Sequence, residues 1–493
     1  MKILFVCSEA YPLIKTGGLG DVGGALPRAL LKRGAQVRLL LPAYGAVMSK
    51  AKDAGLKLLL EFECDGAPVK LWQTRLPGSR VVTWLVDIAE FSARDGGPYG
   101  DHTGADWHDN AWRFYLFSRV AELISTAQLS LDFTPEITHC HDWQTGLVPA
   151  LLSRHTKRPA TVFTIHNLAY GGIFNYETFA SLRLPEDWWH HEKLEFWGNF
   201  SYLKAGLVYA DKITTVSPSY AEEIQTPEFG QGLEGLLSHR KADLLGLING
   251  IDTQTWNPGS DAFIPSKYTR RSLKRRMANK LALQQERKLP VNENIPLFGF
   301  VGRLVEQKGV SLILEAIKPL LAAGECQLVA VGTGQREYEQ GLLALQEEFP
   351  DAVAVTIGYS EPLSHWVEAA CDIFLMPSLF EPCGLNQMYS QRYGALPICH
   401  YVGGLRDTVV NFCQPQLDAY LNGSLSVSDI DETGFLFREP SAEALAQCIH
   451  RALACYQQPE LWQALQLNAM HKDFSWQQCC EGYMELYREL LEE

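Results

Sequence analysis

The 493-residue chain exceeds the roughly 250–300 residues at which a single hydrophobic core stops growing, so it reads as two domains. Its 46% hydrophobic and 20% charged residues exclude a disordered or fibrous chain. The excess of 57 acidic over 43 basic side chains, a formal charge of -14, excludes a broad nucleic-acid interface and leaves room for a local basic pocket.

In chain order, an apolar run from Lys2 to Ser8 reads as a strand. It leads into a glycine-rich loop, Lys15-Thr-Gly-Gly-Leu-Gly-Asp21, and a helical pattern through Leu31. The opening apolar stretch is too short for a signal peptide, and no segment approaches a membrane span, so the chain is expected in the cytoplasm with no membrane partner. Further strand-like runs start at Gln36 and cover Val81–Asp87, Ile137–Asp142, Thr161–Asn167, Ile213–Ser217 and Leu244–Asn249. Helix-period segments, among them Ala111–Leu123 and Gly146–Leu152, separate them, and the polar, glycine-rich stretch from Asp87 to Trp107 reads as a loop.

Proline and glycine break the pattern at Asp252–Tyr268. After a basic helix, TRRSLKRRMANKLAL, strands follow at Pro296–Leu304, Gln327–Gly332, Val353–Gly358, Ile373–Ser378 and Leu396–His400, with a helix from Ser311. An amphipathic helix from about Phe474 closes the chain. Each half opens with strand, glycine turn and helix. This alternation predicts two doubly wound α/β domains facing a cleft, residues 1–252 and 253–473, with 474–493 as a terminal helix. The twelve cysteines form no C-x-x-C pair, and several sit in apolar runs as reduced thiols, which also fits the cytoplasm.

Polar residues at the predicted strand ends carry the chemistry. In the first loop, glycines admit a ligand to the backbone and Lys15 adds charge, but the spacing matches neither a dinucleotide fingerprint nor a Walker loop. A tight structural turn is the alternative there. After the strand ending at Leu304, Arg303 offers a planar fork and Lys308 a compact charge, both suited to diphosphate oxygens. In Pro377-Ser-Leu-Phe-Glu381-Pro-Cys-Gly-Leu385, Glu381 can accept from sugar hydroxyls and the turn at Gly384 offers N–H groups to phosphate; Glu381 as a helix cap is the other reading.

His139 and His141 share one strand face at metal-ligand spacing but lack a third ligand, so no metal site is expected. Asp142 and His166 end two adjacent strands and suggest one shared site. Asp429-Ile-Asp431 has the form of a metal-binding D-x-D, yet it lies in a Ser/Asn/Gly-rich loop.

Taken together, KTGGLGD, HDWQTG, TIHNLAYGG, the segment from Arg303 to Gln-Lys-Gly309 and FEPCGL resemble, in order and over essentially the whole chain, the bacterial glycogen synthases and related starch synthases. The resemblance implies a GT-B architecture whose C-terminal helix crosses back to the first domain. It implies retaining transfer of glucose from ADP-glucose to glycogen or another α-1,4-glucan, with no metal or other cofactor. Lys15, Gly18, Arg303 and Lys308 would hold the diphosphate. Asp142, His166, Asn249, Glu381 and the Cys383–Gly384 backbone would surround the glucose, Leu385 would line the donor site, Tyr359 would stack on adenine and Asp21 would share the pocket. Asn386 departs from the threonine that many members carry, and Tyr389 stands where the wider class has a second glutamate. A nicotinamide enzyme is the rival reading, and the missing G-x-G-x-x-G opposes it. A pyridoxal-phosphate phosphorylase and a non-catalytic glucan-binding protein are the others; the phosphate-binding cations argue against the last.

Overall fold

The structure, a computed structural model, describes residues 1–52 and 55–492. The chain forms two compact units, Met1–Gly250 with Trp476–Glu493, and Ile251–Ser475.

In the first unit the strands are β1 (Lys2–Val6), β2 (Gln36–Pro42), β3 (Lys57–Cys64), β4 (Ala67–Arg75), β5 (Val82–Asp87), β6 (Ile137–His141), β7 (Ala160–Ile165), β8 (Ile173–Phe174), β9 (Glu195–Phe196), β10 (Asn199–Ser201), β11 (Lys212–Thr215) and β12 (Leu244–Gly246). The described residues make a nine-stranded sheet in the order β12-β11-β7-β6-β1-β2-β5-β4-β3. Seven of its strands run parallel, while β4 pairs antiparallel with β5 and β3 with β4. Helices on the faces bury the central strands: β6 is buried at every residue and β1 at all but its first. That burial is why these strands read as unbroken apolar runs rather than alternating ones.

The hairpin β3–β4 was not expected from the sequence. Its β3, KLLLEFEC, is exposed or half-buried along most of its length, so neither strand alternation nor a continuous core run marks it. The small antiparallel sheet β8-β10-β9 likewise escapes notice because two of its strands have only two residues each.

The last helix, Trp476–Glu492, belongs to the first unit. Its buried face carries Trp476, Cys480, Tyr483, Tyr487 and Leu490, the stripe of an amphipathic helix. Each large side chain fully buried in this way contributes about 1.5–3 kcal/mol. Arg33 donates to the carbonyl of Gln477 at 2.7 Å, and the Tyr487 hydroxyl meets His139 Nδ1 at 2.6 Å, which pegs the helix to β6.

The second unit holds β13 (Leu297–Leu304), β14 (Gln327–Gly334), β15 (Val353–Ile357), β16 (Ile373–Met376), β17 (Leu396–His400) and β18 (Phe435–Phe437). Among the described residues these form an all-parallel sheet in the order β15-β14-β13-β16-β17-β18. The order reverses at β13, whose neighbours are β14 and β16, and such a switch point is where open α/β sheets bind ligands.

The expected basic helix is instead a 3-10 segment, Arg270–Arg276, followed by an α-helix, Met277–Glu286, with non-helical backbone at Ser272. Two of its cations are not on the surface. Lys280 is buried with Nζ 2.7 Å from Asp372, and Arg276 donates to the carbonyls of Tyr393 and Cys371.

Candidate active site

In the first unit, the helix Gly18–Lys32 starts at the glycine loop, with Gly17 as its cap. A Cβ at Gly17 or Gly18 would meet nothing within 4 Å, so the start of the helix is open to a ligand. Deeper in the helix the reason for glycine is packing: a Cβ at Gly23 would lie 2.1 Å from the Glu9 carbonyl. Lys15 Nζ pairs with Asp21 at 2.8 Å, across one turn of loop and helix.

Sequence reading missed Glu9, which shapes this loop. Its buried carboxylate accepts from the Thr16 N–H at 2.5 Å, the Thr16 hydroxyl at 2.6 Å and the Tyr99 hydroxyl at 2.6 Å. The only signal available was a carboxylate directly after an apolar strand.

Asp142 and His166 do meet. The Asp142 carboxylate accepts from the backbone N–H of His166 at 2.7 Å and more loosely from that of Asn167 at 3.4 Å. Burial pushes its carboxyl up to about 7, against the lowering effect of those two bonds and with Glu9 adding to the rise. Burial also drives the His166 imidazole down to about 3, so the ring is neutral at working pH. Asp142 itself has φ +56, a backbone region uncommon for a non-glycine residue and enriched at functional positions.

The histidines of β6 are committed within the protein. His139 Nδ1 meets Tyr487 and its Nε2 meets Thr164 Oγ1, each at 2.6 Å, while His141 Nδ1 meets His166 Nε2 at 3.0 Å. Among the described residues no group of three or more His, Cys, Asp or Glu side chains could hold a metal ion. Asn249, just past β12, is buried, and its Oδ1 has no hydrogen-bond partner among the described residues. A buried amide oxygen left open in this way is suited to a ligand donor.

In the second unit, Arg303 stands at the end of β13 and Lys308 in the short 3-10 turn after it. Gly309 then takes φ +64, and a Cβ there would fall 2.1 Å from the Pro377 carbonyl, so only glycine lets this turn approach the end of β16. The backbone N–H of Leu379 donates to Gln307, and Gln307 Nε2 donates to the Phe380 carbonyl at 3.1 Å. This stitching sets Lys308 Nζ 2.5 Å from Glu381, which also accepts from Ser378 Oγ at 3.0 Å.

Glu381 is therefore no helix cap; the following helix starts at Asn386, with Leu385 as its cap. Cys383 is buried and Gly384 has φ +72, the turn that presents backbone to the helix start. Asn386 Nδ2 donates to the Val301 carbonyl at 2.6 Å, tying this loop to β13. Tyr359, just beyond β15, is 72% exposed. Asp429 ends an exposed 3-10 turn and caps it through Ser426.

Two units built on largely parallel sheets, each with a glycine turn and a phosphate-suited cation in the loop after a strand, have the form of a GT-B glycosyltransferase. Residues 2–239 match the family described as starch synthase catalytic domain, and residues 283–466 match glycosyl transferases group 1. A glycogen synthase of Cellvibrio japonicus is 56% identical over 489 residues, covering 99% of each chain, and one of Thioalkalivibrio sulfidiphilus is 49% identical over the full length of both. Among solved structures, the catalytic domain of starch synthase IV from Arabidopsis thaliana, bound to ADP and acarbose, superposes with a TM-score of 0.86 at 30% identity, covering 100% of this chain and 99% of that one. A sucrose-phosphate synthase from Thermosynechococcus elongatus shares the fold, with a TM-score of 0.59 at 18% identity and the same coverage. The chain belongs to the glycogen synthase family and is a glycosyltransferase that moves glucosyl units in glycogen synthesis, acting on a nucleotide sugar and a glucan.

Proposed function

We propose that the donor is ADP-glucose, that the acceptor is the non-reducing end of an α-1,4-glucan, and that transfer retains the anomeric configuration without a metal or other cofactor. The observation that carries this reading is the Lys308–Glu381 pair at the ends of neighbouring strands β13 and β16. There a cation suited to phosphate is paired at 2.5 Å with a carboxylate suited to sugar hydroxyls, so two groups that a nucleotide sugar calls for are held side by side. The ADP and the acarbose, a glucan analogue, held by the Arabidopsis relative support both halves of the reading.

In this account Arg303 and Lys308 stabilise the departing diphosphate by charge, with Lys15 and the open backbone at Gly18 as further contacts. No protein acid is needed, because the leaving group is already a phosphate. An oxocarbenium-like glucose forms, shielded by His166, with Asp142, Asn249 and Glu381 on its hydroxyls and the Cys383–Leu385 turn lining the donor site. The acceptor hydroxyl attacks from the face the phosphate leaves, and a phosphate oxygen takes its proton. Tyr359 stacks on adenine, and Asp21 holds Lys15 in place until the donor arrives. The same reading puts the enzyme in the cytoplasm, in keeping with cysteines that are all free thiols among the described residues.

Parallel assays of ADP-glucose and UDP-glucose with a glucan primer test this. Faster incorporation from ADP-glucose, unchanged by EDTA, is expected. Equal or faster incorporation from UDP-glucose rejects the donor, and loss of activity in EDTA that magnesium restores rejects the charge-only account.

A further inference from the structure

Three histidine rings stand in file behind the site. His139 and His141 have ring centroids 4.0 Å apart, and His141 and His166 5.2 Å. Between His141 Nδ1 and His166 Nε2, 3.0 Å apart, there is room for one proton, and the ring that owns it fixes the tautomer of both. Burial holds both imidazoles neutral, which closes the doubly protonated alternative.

His141 decides the matter. It is fully buried, with the Phe5 ring at 4.1 Å on one side and His139 on the other, and its Nε2 has no hydrogen-bond partner among the described residues. His139 cannot serve as that partner, because both of its nitrogens are engaged by Tyr487 and Thr164. If His166 supplied the shared proton, His141 would carry its own on Nε2, a buried N–H with nothing to accept it. If His141 supplies it, Nε2 is only a bare lone pair, and a buried orphan acceptor is tolerated more readily than an orphan donor.

We infer that His141 is a positioning residue that donates its Nδ1–H to His166 Nε2 and so fixes His166 as the Nδ1–H tautomer. Nδ1 is then the one ring nitrogen of His166 left for a ligand, and it presents a donor rather than a lone pair to a sugar oxygen. This rests on the reading that puts His166 at the transferred glucose.

The first test needs no substitution at His141. Nitrogen NMR of histidine-labelled protein, with the His166 signals identified by their loss in His166→Gln, reports which nitrogen bears the proton. A protonated Nδ1 and a bare Nε2 are expected; the reverse overturns the inference. The second test compares His141→Asn, whose amide can still donate from near the Nδ1 position, with His141→Phe, which keeps a ring and loses the donor. The Phe variant should lose about tenfold in kcat with donor KM within about twofold, and the Asn variant should stay within about threefold of the parent. Full activity in His141→Phe beside an impaired His166→Gln overturns the role of His141 alone. Equal losses in the Asn and Phe variants reduce His141 to a packing residue and overturn it too. Full activity in His166→Gln overturns the placement of His166 at the sugar, and this inference with it.

Discussion

At the ends of β6 and β7 in the first unit loss of water shifts the polar groups towards their uncharged forms: the His166 imidazole is driven down to about 3, and the Asp142 carboxyl up to about 7. At the ends of β13 and β16 in the second unit the groups are ions, with Lys308 paired to Glu381 at 2.5 Å and Arg303 on the exposed end of its strand. Burial is the main cause of the first condition, because loss of water penalises whichever form is charged, and Glu9 adds to the rise at Asp142. A close counter-ion marks the second, since a lysine paired with a carboxylate can exchange that partner for another anion. Uncharged donors and acceptors suit hydroxyls, and cations suit a diphosphate.

The largest expected effect would break this comparison on its charged side. Arg303→Ala or Lys308→Ala should lower kcat/KM by about 10²–10³, because each removes charge stabilisation from the leaving group. Near-normal turnover in either folded variant would show that the second unit's cations are ordinary surface charges. Glu381→Gln separates the roles further: turnover should fall while calorimetry still shows ADP bound, and lost ADP affinity with intact turnover would move Glu381 away from the sugar.

On the neutral side, Tyr487→Phe should cost about 1–3 kcal/mol in urea denaturation, because it strands His139 Nδ1 in the core. An unchanged midpoint would mean that the terminal helix does not buttress β6. Asp142→Asn tests the raised carboxyl at the end of β6 through pH. The carboxyl rises from 3.8 to about 7 on folding, so the folded state holds the extra proton. Stability linked to Asp142 is then full below about pH 4 and falls as pH rises towards 7. The Asn variant lacks that loss, so its Tm relative to the parent should climb between pH 4 and 7 and then level off. A Tm difference independent of pH would mean that Asp142 is an ordinary ionised carboxylate. The smallest effect is expected at Asp429→Asn with Asp431→Asn, where the turn is exposed and activity should not change. A large loss there would return the D-x-D loop to consideration as a metal site.

Much of this was legible because parallel strands buried on both faces leave apolar runs, and the polar residues that end those runs stand out. Asp142 and His166, 24 positions apart, and Lys308 and Glu381, 73 apart, each end or follow such a run, and the structure brings each pair together. Strands whose faces are wet left no such mark, and β3 and the two-residue strands β8 and β9 passed unseen. Glu9 was hidden for a different reason. Its importance lies in accepting three hydrogen bonds from Thr16 and Tyr99, and a hydrogen bond has no periodicity to read. The same holds for His141, whose spacing to His139 has the form of a metal pair without a third ligand, and whose hydrogen bond to His166 left no mark in the sequence.

The helix Trp476–Glu492 has a consequence for how the molecule is made. Translation delivers the 1–250 segment first, yet the sheet it forms has a face waiting for residues 476–492 to leave the ribosome. The second unit, continuous from Ile251 to Ser475, is complete in sequence before then. The unit begun first is thus the one finished last, contrary to the usual order in which N-terminal domains fold while the rest is still being synthesised. A chain lacking residues 476–492 would keep its second unit whole and leave an apolar face open on the first, the kind of surface that chaperones and proteases detect. The position of this helix makes translation of residues 476–492 a condition for completing the first unit.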